Sequence, residues 1–450
     1  MRFSMPLAFL YAVLFAGSFY LSGISETAAW SVLSFTGAAL LWHIGLLSAS
    51  PSASGGLKIT FEPRAPHIVQ ALLQLCIYFY WSLYWSEPAR YAAFIAMQLA
   101  WAYMIDHLFS FTRRREWRIG FGPVPIVLSM NLFIWFRPEY FYLQLVMVTL
   151  TYVAKEFFTR TRDGRTRHIF NPSAFSLSVA AVFLLSSGSV GEYTTGVDLV
   201  ESFELPPNFY EVIFLLGLVV QILFATTPIT LGAVAAHFGL FYLVSWYLGG
   251  RSAAFPIDRS IFLAMTLLVP DPATTPKLPK GRLLFGIVYG ASVFAAAMAL
   301  KYARLPDFYS KILVIPALNL LVPLFDRFAD RLWPFKFGTA SDLRSLKTRT
   351  IWAVAYAAMF LAMLAPLKAF RSTPLGRPWL QPVGGGGSPE MEGAIINMLY
   401  CQKRYPEAYK PFAFRAEFEQ YSTIRQTYDT TLTTDQLDEV FRPEKAAGTR

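Results

Sequence analysis

The sequence predicts an all-α polytopic membrane protein, and three observations carry that prediction. Of 450 residues, 55% are hydrophobic and only 15% charged, against about a quarter charged in soluble domains. Apolar runs of near-spanning length recur from the N-terminus to about residue 367. Basic residues gather in the loops between those runs, so the net charge of +10 reads as an orientation signal. It gives no reason to expect a nucleic-acid partner; the lipid bilayer is the expected one.

About thirteen candidate spans follow in order, at 6–24, 28–49, 66–86, 90–111, 119–136, 139–158, 170–187, 209–225, 229–248, 258–270, 282–303, 310–325 and 349–368. The first begins directly after Met1-Arg2 without a small-residue cleavage site, and is read as a retained helix. Four basic clusters test the count: "RRREWR" at 113–118, Lys155–Arg167, "KLPKGR" at 277–282, and the stretch ending at Arg349. With thirteen spans all four fall on one side. The loop 188–208 falls opposite, with Glu192, Asp198, Glu201 and Glu204 and no Lys or Arg. The positive-inside rule then predicts a cytoplasmic N-terminus and an external C-terminal tail.

The chain divides at this level into N-terminal helices at 1–150, a core at 151–335, a basic loop with the last span at 336–369, and a linker and extramembrane tail at 370–450. The linker "STPLGRPWLQPVGGGGSPE" is rich in Pro and Gly. The tail that follows carries Tyr400, Tyr405, Tyr409, Phe412 and Phe414. These aromatics suit a segment that orders against partner subunits better than a plain polar extension.

Three stretches within the spans carry chemistry. The first, "GRTRHIFNPSAF" (164–175), joins a basic loop with Arg165, Arg167 and His168 to Asn171-Pro172 and an apolar helix. Asn at the N-cap followed by Pro is a helix start. Its free N–H groups and the neighbouring cations would suit an anion. Topology plus capping explains the same residues. The second stretch, 267–297, places Asp271 at the mouth of a span, with Thr274, Thr275, Lys277 and Arg282 following among prolines. Such broken backbone cannot be regular helix, and an ionisable residue at the break is a site expectation. The tetrad ATTP occurs at 225–228 and again at 273–276, each between two spans. In the third stretch, 312–333, Asn319 lies mid-span between Pro316 and Pro323 and is expected to hydrogen-bond a neighbouring helix.

Other features exclude chemistry. Cys76 and Cys401 are too few for a disulfide framework or a cysteine-held iron–sulfur cluster, and Cys76 reads as a small buried hydrophobe. The five histidines show no metal-ligand spacing, so no metal site is expected. Asp106 and His107 form an intramembrane polar pair that reads either as a proton relay or as an interfacial span end.

In this order, "RHIFNPSAF", "DPATTPKLPKGRLLFG" and "ALNLLVPLFDRF" resemble the RnfD/NqrB family, over about 150–335. These are membrane subunits of Rnf complexes and of the sodium-pumping NADH:quinone oxidoreductase. The resemblance implies a core of two inverted repeats in a bacterial inner membrane, inside a multisubunit redox complex that moves electrons and Na⁺ or H⁺. It also implies FMN attached to the Thr of an S-G-A-T motif. This chain has no S-G-A-T, which argues against covalent FMN and places it nearer the UnbU-like members. The nearest substitutes are Thr194 and Thr195 in "GEYTTGVD", among acidic residues that suit a flavin phosphate poorly. The cofactor stays open between noncovalent FMN, a quinone and none. Three functions therefore compete: a redox-complex subunit using the residues named above, a non-catalytic membrane anchor, and, ranked last, a solute transporter.

Overall fold

The computed structural model describes residues 5–48, 58–162, 164–204, 206, 208–247, 258–332 and 345–364. Predicted features at 1–4, 49–57, 248–257, 333–344 and 365–450 lie outside the described residues. They include the aromatic tail and Cys401.

Helices dominate, as the composition requires. α1 (Met5–Ser22) and α2 (Glu26–Ser48) form an apolar hairpin whose second member starts at Ser25, whose hydroxyl accepts from Ala28 N. β1 (Lys58–Phe61) leads into α3 (Ala65–Ser82), a single turn α4 (Glu87–Arg90) and α5 (Ala92–Arg114). β2 (Glu116–Ile119) then pairs in parallel with β1, Lys58 opposite Glu116. α6 (Pro123–Asn131) and α7 (Phe141–Phe157) follow. β3 (Thr159–Arg162) and β4 (Arg165–His168) make an antiparallel hairpin ahead of α8 (Pro172–Ser187). Two short helices, α9 (Val190–Tyr193) and α10 (Gly196–Glu201), fill the acidic loop. The remaining helices are α11 (Phe209–Phe224), α12 (Thr227–Tyr247), α13 (Arg259–Leu263), α14 (Pro279–Tyr302), α15 (Ser310–Leu313), α16 (Ile315–Leu332) and α17 (Leu346–Leu364).

Among the described residues, six helical segments are long and apolar enough to cross a membrane. They are Met5–Ser22, Glu26–Ser48, Ala92–Arg114, Thr227–Tyr247, Pro279–Tyr302 and Asp307–Ala329. Three shorter apolar helices lie at Pro172–Ser187, Phe209–Phe224 and Arg259–Leu268. The fold is thus a helical, membrane-type bundle with two small two-stranded sheets that the sequence reading did not contain.

Two predicted spans are not continuous α-helices. The run 119–136 holds α6, whose nine residues rise about 14 Å, roughly half a hydrocarbon core. Beyond it Leu132–Phe136 is non-helical yet exposed by no more than 2%. Buried irregular backbone persists only where protein satisfies its polar groups. Here Phe136 N donates to Gln144 Oε1 at 3.1 Å, and Trp135 O accepts from Thr195 N at 3.1 Å. Gln98, Asn131 and Gln144 complete a fully buried amide network, with Gln98–Asn131 bonds of 2.6 and 3.1 Å. The run 258–270 holds α13, which continues into a π-turn over Ala264–Leu268. A buried glutamine supports each broken element. Gln74 of α3 donates to Ser129 Oγ of α6 at 2.7 Å, and Gln221 of α11 donates to Thr266 O of the π-turn at 3.1 Å.

The directions of neighbouring helices are set by contacts. A Cβ on Gly286 would meet Ile229 O, and one on Gly290 would meet Ala233 O. A four-residue step on α14 thus matches the same step on α12, so the two helices run parallel with their backbones nearly touching. α5 and α7 also run parallel: Gln98 meets Gln144 (3.0 Å), Trp101 meets Thr149 (2.9 Å) and Asp106 meets Lys155 (3.0 Å). Parallel neighbours need an odd number of crossings between them. α6–Phe136 and α13–Leu278 lie in the chain that runs back between them. Cys76, read as a buried hydrophobe, is instead exposed on the outer side of α3.

Candidate functional site

The stretches singled out in sequence meet at one end of the bundle. α8 starts at Asn171, whose extended backbone and Oδ1, accepting from Ala174 N at 3.2 Å, make it the N-cap. The same residue does more than cap. Its Nδ2 donates to Leu268 O of the π-turn at 2.7 Å, and its N–H donates to Asn319 Oδ1 of α16 at 2.9 Å. Asn319 in turn donates from Nδ2 to Thr274 O at 3.1 Å. Two buried asparagines therefore tie α8, α16 and the loop 269–278 together, and the expected interhelical role of Asn319 is what the structure shows.

Asp271 organises that loop. Its Oδ1 accepts from Ala273 N at 3.0 Å and its Oδ2 from the Thr274 hydroxyl at 2.9 Å. The Thr275 hydroxyl donates to Asp271 O at 2.7 Å. His168, the last residue of β4, places Nε2 3.6 Å from Asp271 Oδ2. Burial alone would push the Asp271 carboxyl up. The charge of His168, with the Ala273 N–H and Thr274 hydroxyl, outweighs it and holds the carboxyl below its ordinary value. The pair sits in a mouth, each side chain about a quarter exposed.

Beyond the loop, α14 begins under a carboxylate. Asp326 of α16 accepts from Lys277 N at 3.2 Å and Leu278 N at 3.1 Å, at the end of the helix where dipole and free N–H groups favour an anion. Arg282 is 8% exposed, and its guanidinium faces carbonyls. Nε donates to Pro276 O at 2.9 Å, and Nη1 donates to Phe224 O at 3.3 Å and to Ala225 O. Ala225 opens the first ATTP tetrad and Pro276 closes the second, so one arginine joins both. It also supplies a cation at the C-terminus of α11, where Ala225 takes a positive φ of 55°.

The expected site residues thus divide. His168, Asn171, Asp271, Thr274 and Thr275 share one cluster, with Lys277 attached through its backbone and Arg282 beneath. Arg167 is exposed on the hairpin, and Arg165 pairs with Arg162 at its tip, its side chain outside the described residues. Thr194 and Thr195 lie elsewhere, between α9 and α10. The two residues are 2% and 3% exposed, and their hydroxyls donate to Val190 O and Trp135 O. A threonine so enclosed does not fit phosphoester attachment. At the α8 N-terminus the Asn171 and Ala174 N–H groups already have oxygen partners.

Asp326 escaped the sequence reading as a site residue; a carboxylate closing an apolar span was its only signal. No group of three or more His, Cys, Asp or Glu able to hold a metal ion occurs among the described residues. A scan against protein-family models finds no match for this chain, and a search of curated proteins finds none either.

Proposed function

We propose that the chain is the integral membrane subunit of a multisubunit, redox-linked complex of the kind its motifs resemble, RnfD/NqrB. One observation carries the reading. The three stretches behind the resemblance, far apart in sequence, meet through Asn171, Asn319, Asp271 and Asp326. The reading places the chain in a bacterial inner membrane with about thirteen spans, two of them broken. The N-terminus and the basic cluster are cytoplasmic, and the tail is periplasmic and available to partners. The two broken spans, each braced by a buried glutamine, support an internally repeated core.

A second reading, a membrane anchor without chemistry, is favoured by one feature. Asn171, Asn319 and Arg282 make their hydrogen bonds within the protein. The test is isolation from native membranes in mild detergent with partners retained, then a visible spectrum and flavin fluorescence of separated subunits. Redox-active partners that co-purify with this band support the subunit reading. Coloured partners with a non-fluorescent band select the anchor role within it. A colourless protein that purifies alone sinks both.

A further inference from the structure

The β3–β4 hairpin carries an arrangement that the proposed function does not use. Its register sets Arg160 opposite Arg167 and Arg162 opposite Arg165. Side chains alternate along a strand, so these four positions share one face. The other face carries Thr159, Thr161, Thr166 and His168. His168 lies against Asp271, which fixes the second face toward the polar cluster and turns the arginine face away from it.

Like charges directly opposite each other across a strand pair destabilise it, and a lone two-stranded hairpin is marginal in water. The Arg160–Arg167 pair therefore calls for anions. None comes from the described protein: Arg160 and Arg167 have no carboxylate partner among the described residues. Asp163, in the turn, lies outside the described residues.

The hairpin's position says which anion. The Arg160–Arg167 pair lies three residues beyond the last residue of α7, at most about 10 Å of extended chain. A headgroup layer is roughly 5–8 Å deep on each side of the hydrocarbon core. At the base of the hairpin Phe157 and Phe158 are 52% and 41% exposed. Large apolar side chains left exposed at a span end are covered by lipid more favourably than by water. Guanidinium groups match phosphate oxygens in a bidentate fork. We propose that the arginine face of the β3–β4 hairpin docks the phosphodiester headgroups of anionic lipids in the adjoining leaflet. Lipid on one face then steadies a hairpin whose other face holds His168 against Asp271.

The test uses the full-length protein in neutral detergent, titrated with phosphatidylglycerol while thermal unfolding is followed. Parallel titrations use phosphatidylcholine and inorganic phosphate. Phosphatidylglycerol should raise the unfolding temperature and the other two should not. R160Q/R167Q should weaken the apparent phosphatidylglycerol affinity by about tenfold or more. T161Q/T166Q, on the opposite face, should leave it unchanged. If the double variant does not accumulate, R167Q at the exposed position carries the same comparison. An equal phosphatidylglycerol response in the arginine variants overturns the proposal, as does an equal response to inorganic phosphate. So does loss of a co-purifying acidic protein from R160Q/R167Q with the lipid response intact.

Discussion

At the scale of single residues, Asp271 shows how an ionised group is kept at the mouth of an apolar bundle. Its carboxylate is surrounded by His168, the Ala273 N–H and the Thr274 hydroxyl, and its acidity is raised relative to an unfolded chain. A carboxyl with a depressed folded value adds stability above its unfolded value and loses it as pH falls through the folded one. Wild-type unfolding temperature in detergent should therefore drop more steeply below the ordinary carboxylate range than that of Asp271→Asn. Parallel curves for the two proteins would remove Asp271 as a source of acid sensitivity. Asn171 as a cap and Asp271 as a special residue are both legible from local sequence, because capping and proline-broken backbone are local effects. That Asn171 also bonds Leu268 O and Asn319 is not legible, since those partners are brought together only by packing. From sequence, Arg282 is one of several residues expected at the broken second stretch. Its actual partners are three backbone carbonyls, which no pattern of side-chain types encodes.

At the scale of elements, the α12–α14 contact rests on the absence of side chains. The Cβ of any residue at 286 or 290 would press on a backbone carbonyl of α12, which cannot move aside as a side-chain end can. Gly290→Ala should cost about 1–3 kcal/mol through overpacking. Gly239→Ala, with nothing within 4 Å of its Cβ, should be neutral or slightly stabilising, since Ala is the better helix former. Thermal unfolding of the two variants side by side makes the comparison; equal stability would mean that the close approach is not needed. Hydropathy located these helices well, but it could not see that 119–136 is a half-length helix followed by buried irregular chain. An apolar run such as "LFIWF" has the composition of a span in any backbone conformation. The β3–β4 hairpin was missed for a related reason. Arg–Thr alternation in a basic loop satisfies the orientation rule whether or not it is paired.

At the scale of the whole molecule, the polar groups sort by end. The hairpin, Asp271, Asp326 and the start of α14 lie together, whereas Glu192 and the α9–α10 segment belong to the opposite end in the thirteen-span topology. A cysteine at Thr166 should then be labelled by an impermeant thiol reagent only from the cytoplasmic side, and one at Glu192 only from outside. The background should have Cys76 and Cys401 replaced. Labelling of both from one side would break the topology. The sidedness expected from charge rests on loop composition and not on packing, and the labelling tests it.

The parallel contact between α12 and α14 also bears on how the protein is made. Thirty-one residues of chain, 248–278, lie between these two helices, and the residues that meet, Ala233 and Gly290, are 57 apart in sequence. At a synthesis rate of about 5–20 residues per second, α12 waits on the order of 3–10 s for its partner. Throughout that interval its glycine-bearing stripe faces lipid or the insertion machinery. The α12–α14 seam thus closes only once α14 has been made, and until then the α12 face that carries Gly232 is covered by something other than α14.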